Sequence, residues 1–123
     1  MANKYEVRKF EPVNNNTYQF KEVSVNGKYL FQEFVSNLKD SQDIKKLMTI
    51  YSYMDIFSPS ILLPKTKFRQ VEGIGRKDVY EFKKDDVRVY VIKQRPSVFV
   101  ILGAYKGTQS KDVKRIEKLF AGF

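Results

Sequence analysis

Residues 79–102 read VYEFKKDDVRVYVIKQRPSVFVIL. Three short runs inside this stretch, 79–83 (VYEFK), 87–93 (VRVYVIK) and 98–102 (VFVIL), are rich in β-branched and aromatic residues. Turn-like pieces separate them, Lys84-Asp85-Asp86 and then Gln94-Arg95-Pro96-Ser97. Runs of this length and spacing predict an antiparallel meander. Side chains alternate between the two faces of a strand. Val87, Val89 and Val91 therefore share one face, and Arg88, Tyr90 and Ile92 share the other. On the preceding run Tyr80 and Phe82 oppose Val79, Glu81 and Lys83. The alternation brings Glu81, Lys83 and Arg88 to one side of a sheet and sends the apolar positions under helices.

Downstream, the last run enters Gly103-Ala104-Tyr105-Lys106-Gly107-Thr108-Gln109. Tyr105 and Lys106 then stand at a strand end facing the basic side, as an acid and a phosphate contact. Tyr105 reads equally as a lid over the last helix. Ser110 is the expected cap of that helix, whose apolar positions are Val113, Ile116, Leu119 and Phe120. Upstream, residues 67–71 are a further extended piece. Five cations lead into the sheet here: Lys65, Lys67, Arg69, Arg76 and Lys77. They read as phosphate contacts, or as solvated charges that guard an edge strand against pairing with another chain. Crowded lysines also depress one another's pKa, one route to a lysine general base. Gly73-Ile74-Gly75 lacks the strand and third glycine of a dinucleotide fingerprint and reads as a loop. Asp85-Asp86 reads as a hairpin tip rather than a cation site.

The first half is different. Residues 4–10 and 17–25 alternate as a hairpin about the loop Pro12-Val13-Asn14-Asn15-Asn16. Asn26-Gly27 signals a turn. Leu30, Phe31, Phe34, Val35 and Leu38 then follow at helical spacing, as do Ile44, Leu47, Met48 and Tyr51 after a cap expected at Ser41. Ser58-Pro59 and Leu63-Pro64 close the second helix, because a residue before proline avoids the helical region.

Composition limits the chemistry. The chain has 123 residues with 8 Tyr and 10 Phe, enough for one domain with a real core. It has neither Cys nor His. Disulfides, thiolate metal sites, the usual zinc ligands and His-activated nucleophiles are thereby excluded. Any catalysis falls to Lys, Arg, Tyr, Asp, Glu or backbone groups. No apolar run reaches membrane-spanning length, and the charged N-terminus lacks a leader's apolar stretch, so the expected location is cytoplasmic, with no membrane partner. The net charge of +9 is lopsided: residues 1–62 hold 8 Lys and Arg against 7 acids, and residues 63–123 hold 15 against 7. A basic half points to a polyanionic partner or to a solubility surface.

The stretch from Lys67 to Leu119, KFRQVEGIGRKDVYEFKKDDVRVYVIKQRPSVFVILGAYKGTQSKDVKRIEKL, resembles the core of RelE/ParE-superfamily toxins. The matching motifs are Val79-Tyr80-Glu81-Phe82-Lys83, Arg88-Val89-Tyr90, the strand ending in Leu102, and Tyr105-Lys106. The order of two helices, a basic segment, a meander and a final helix is also similar. The resemblance spans about residues 28–120. It implies a single domain over residues 1–123, with 1–27 as a hairpin extension and 28–123 as the toxin-like core. The implied fold is α+β: a small twisted antiparallel sheet with the two N-terminal-half helices and the C-terminal helix packed on one face, plus the N-terminal hairpin.

The resemblance, to the RelE/HigB-like branch in particular, implies the toxin of a type II toxin–antitoxin pair. Its activity would be ribosome-dependent mRNA cleavage without metal or other cofactor, by attack of a ribose 2′-hydroxyl on the adjacent phosphate. Such a reaction needs a base, cations at the phosphoryl oxygens and an acid. By the resemblance, Arg88 stabilises the phosphorane-like charge, Lys67 or Glu81 is the base, and Lys83 contacts phosphate. Tyr105 is then the acid or a base-stacking platform, beside Lys106. Lys65, Arg69, Arg76 and Lys77 would bind substrate. The implied partners are an antitoxin protein and mRNA on the ribosome. The residues before the final helix, Gly107-Thr108-Gln109, depart from the family's more cationic pattern. The competing reading keeps the fold without the catalysis, as a gyrase-directed toxin or a mobile-element module that binds nucleic acid or protein.

Overall fold

The computed structural model describes residues 2–123. The chain runs β1 (Tyr5–Lys9), β2 (Gln19–Val25), α1 (Leu30–Ser36), α2 (Ser41–Ile56), β3 (Phe68–Gln70), β4 (Val79–Lys84), β5 (Val87–Gln94), β6 (Ser97–Tyr105) and α3 (Gln109–Leu119). All six strands form one sheet in the order β1-β2-β6-β5-β4-β3. The α+β class, the hairpin, the helix pair, the meander and the final helix are those expected.

Two features of the assembly differ from the expectation. β2 joins the sheet beside β6 in parallel, with Gln19 opposite Ser97 and Glu22 opposite Val100. The sheet is therefore mixed, and the hairpin is built into it through β2. The helices also divide between the faces. Phe31, Leu47, Ile50, Tyr51 and Met54 of α1 and α2 pack on Phe82, Val87, Val89, Val91, Val98 and Val100. Val113 and Ile116 of α3 pack on the opposite side, with Val79, Tyr90, Ile92 and Ile101. The reason lies in the strands: β5 carries Val87, Val89 and Val91 on one side and Tyr90 and Ile92 on the other, so neither face can be left wholly to water.

Local chemistry sets the elements' ends. Asn26 and Gly27 both take positive φ, and a bridge between Val25 and Lys28 closes that turn. Asp40, rather than Ser41, caps α2: its carboxylate accepts from the Gln42 amide at 2.8 Å. At the other end of α2, the Asn15 amide donates to the carbonyls of Met54 (2.8 Å) and Phe57 (2.7 Å). A loop residue thus satisfies carbonyls that a helix end leaves open. Ser110 lies inside α3, and Thr108 holds the N-cap position.

Gly103 lets α1 approach β6. A Cβ there would stand 2.3 Å from Cδ2 of Phe34, inside any tolerable contact. The ring of Phe34 rests directly on the strand.

Candidate nucleic-acid interface

The β4–β5 register decides the site. Lys83 lies opposite Arg88, Glu81 opposite Tyr90, and Arg69 of β3 opposite Glu81. All of these side chains stand on the α3 face, as the alternation of Phe82 and Val89 toward α2 requires. Glu81 is 1% exposed. Its Oε1 accepts from Arg69 Nε at 3.1 Å and lies 3.7 Å from Arg88 Nε. A carboxylate this deep is tolerated only when paired, and two guanidinium groups supply the pairing. Glu81 thereby orients Arg69 by a hydrogen bond and attracts Arg88, whose Nη1 donates to the backbone carbonyls of Asp85 and Val87.

Lys83 stands beside this trio. Burial holds its pKa below the ordinary lysine value, and the Arg69, Arg88 and Lys106 charges push the same way, against the opposing pull of Glu81. A lysine so placed gives up its proton more readily than one in water.

The second wall comes from the segment entering α3. A cleft of about 110 Å³ is bordered by Arg69, Arg88, Tyr90, Tyr105, Lys106 and Gln109. Gln109 Oε1 accepts from Arg69 Nη2 at 3.2 Å. Tyr90 donates to Asp112 at 3.0 Å, and the Thr108 hydroxyl reaches the same carboxylate oxygen at 2.8 Å. Burial and the Asp112 charge raise the Tyr90 pKa, which keeps its proton in place. A wider hollow of about 470 Å³ adjoins at Arg69 and Lys83, with Lys65 and Gln70 on its rim.

The expected site residues fall into two groups. Glu81, Arg88, Arg69, Lys83 and Lys106 converge, with Lys65 on the rim. Lys67 does not join them: its ammonium sits 5.0 Å above the Tyr53 ring on α2. Arg76 is committed to Asp78 (2.7 Å) and to the Phe120 carbonyl (2.8 Å), which ties down the end of α3. Lys77 is exposed on the β3–β4 loop.

Tyr105 turns its hydroxyl away from the cationic cluster, to Asp43 of α2 at 2.9 Å, and packs its ring 5.4 Å from Phe34. Burial and the Asp43 hydrogen bond raise its pKa. A register shift between Tyr90 and Val91 is responsible. Ile101 is the extra residue there, and each later β6 side chain points opposite to a simple alternation from Phe99. The same shift turns Lys106 to the cleft. Gln109 was not expected at the site. Its signal in the sequence is only its position at the start of a helix that follows a basic sheet.

Among the described residues no group of acidic side chains is arranged to hold a metal ion. No helix there is long and apolar enough to cross a membrane. Comparisons with protein-family models, curated proteins and solved structures return no match to this chain.

Proposed function

We propose that the cleft binds and cleaves RNA, and that the chain is a RelE/ParE-like toxin acting on mRNA at the ribosome. The observation that carries this reading is the convergence of Arg69, Lys83, Arg88 and Lys106 around one buried carboxylate. Planar guanidinium groups, Arg69 held by Glu81 and Arg88 by the Asp85 and Val87 carbonyls, suit phosphoryl oxygens, and fixed positive charge stabilises a transition state that gains negative charge.

The cleft supports a role for each group. Lys83, with its lowered pKa, takes the proton of the ribose 2′-hydroxyl. The 2′-oxygen bonds to phosphorus while the bond to the 5′-oxygen breaks. Arg88 and Arg69 hold the phosphoryl oxygens, and the Lys106 ammonium returns a proton to the leaving oxygen. The products are a 2′,3′-cyclic phosphate and a 5′-hydroxyl. Glu81 positions Arg69 and offsets the Arg88 charge rather than serving as base. An acidic segment of an antitoxin would silence the site by covering these charges.

The test is cleavage of ribosome-bound mRNA by the purified protein. The expected result is a set of discrete cuts, reduced about 100-fold or more in Arg88→Ala. Intact mRNA with the unaltered protein overturns the reading.

One observation favours a second reading, a binding module without catalysis. The Tyr105 hydroxyl is bound to Asp43, which leaves the cleft without a free tyrosine acid. That reading expects salt-sensitive RNA binding and no cuts.

A further inference from the structure

A second set of cations lies on the reverse face of the sheet, from the β3 edge to the β5–β6 turn, over aromatic rings. Lys67 stands 5.0 Å above Tyr53, Lys93 4.9 Å from Tyr80, and Arg95 5.8 Å from Tyr18. The rings form one packed group: Phe57 stacks on Tyr18, and Phe68 lies parallel to Tyr80 at 4.9 Å. Tyr53 and Tyr80 are only half-buried, so the cations above them reach solvent.

None of the ion pairs among the described residues involves Lys67, Lys93 or Arg95. By contrast Arg8, Lys46, Arg69, Arg76 and Arg88 all face carboxylates. A cation held over a ring has lost freedom without losing charge, and suits an incoming anion. Burial, and then the neighbouring Arg95 charge, lower the Lys93 pKa.

The two cationic regions meet at the edge of the sheet. The Lys83 amide donates to the Lys67 carbonyl at 2.8 Å. From this one backbone contact Lys83 points to the hollow that adjoins the cleft and Lys67 to the reverse face. β3 is the last strand of the sheet and only three residues long, so little stands between the regions.

We propose that single-stranded RNA, held at the scissile phosphate in the cleft, crosses the β3 edge and lays its backbone phosphates along Lys67, Lys93 and Arg95. The track rests on the reading of the cleft as an RNA site and extends it. It gives Lys67 a role in holding substrate at a distance from the reacting phosphate.

The probe is a fluorescent 2′-O-methyl oligoadenylate of about 12 nucleotides, which binds without being cut. Its affinity is measured over a range of salt for the unaltered protein, a Lys67→Gln/Lys93→Gln/Arg95→Gln triple variant, the three single variants, and Arg88→Ala. Each phosphate contact contributes about 0.7 to the slope of log affinity against log salt for a single strand. The triple variant is expected to flatten the slope by about 2 and each single variant by about 0.7. The single variants carry the test if the triple variant shows a lowered urea midpoint. A folded variant set with unchanged slopes overturns the track. If Arg88→Ala still weakens binding in that case, the cleft reading survives. If the unaltered protein does not bind the probe, cleft and track fall together.

Discussion

Glu81 and Phe82 are neighbours on β4 and face opposite ways. Phe82 meets the rings of Phe20, Phe57 and Phe68, with centroids 4.6–6.3 Å away, and is fully buried. Glu81 is buried as deeply, yet its surroundings are two arginines. The α1–α2 face is sealed by two helices and a run of aromatic residues. The α3 face has one helix of 11 residues, about 16 Å long, which covers Val79, Tyr90, Ile92 and Ile101. The end of the sheet that α3 leaves bare carries Glu81, Lys83 and Arg88. Coverage by a helix thus decides which part of a strand is core and which is site, while both obey the same alternation.

The largest test of that contrast is Phe82→Ala. It opens a cavity on the sealed face and is expected to cost about 3–5 kcal/mol of stability in urea denaturation. A loss below about 1 kcal/mol would show that this face is not close-packed.

Gly103→Ala probes the same face from the other direction. The new methyl meets the Phe34 ring, which is flanked by Tyr105 and has little room to retreat. The expected cost is about 1–3 kcal/mol, read as a lowered urea midpoint with an unchanged slope. A neutral outcome would mean that α1 floats on β6.

On the open face the response should appear in chemistry rather than stability. Catalysis by neutral Lys83 makes the cleavage rate rise with pH and level off below the pH at which an ordinary lysine titrates. Arg69→Gln removes one repelling charge and releases Glu81 to attract the Lys83 proton. Both effects raise the Lys83 pKa, so the inflection moves to higher pH and the rate near neutrality drops several-fold. An inflection that stays put, or moves down, excludes Lys83 as the base.

The smallest effect belongs to Tyr105→Phe. The hydroxyl bonds only Asp43, on the side away from the charges. Its loss is expected to cost under about 1 kcal/mol and leave cleavage within about twofold. A tenfold loss of cleavage would place the hydroxyl in the reaction and erase the distinction between the faces.

The meander and its two faces were legible because Val87, Val89 and Val91 alternate cleanly with Arg88, Tyr90 and Ile92. That alternation also brought Glu81, Lys83 and Arg88 together before any register was known. It misled at Tyr105, since nothing in VFVILGAY marks Ile101 as the extra residue. The parallel pairing of β2 with β6 had no local signal at all, because partners distant in the chain share no turn. Caps were ambiguous where polar residues adjoin: Asp40 precedes Ser41, and Thr108 precedes Ser110, so either of each pair has the right chemistry. Arg76 looked like a substrate ligand and Lys67 like a base at the reacting phosphate because a charge in a loop does not announce its partner. Asp78 and the Phe120 carbonyl claim the first, and the Tyr53 ring the second.

The β2–β6 pairing has a consequence for how the molecule comes into being. During synthesis β2 emerges early and finds only β1 to pair with, while its other neighbour is still unmade. Gln19 waits for Ser97, and Arg69 waits for Gln109. Contacts so remote in sequence make folding slow and late. The nascent chain therefore has no assembled cleft until the segment entering α3 has been made. The order of the strands itself delays the appearance of whatever the finished cleft does.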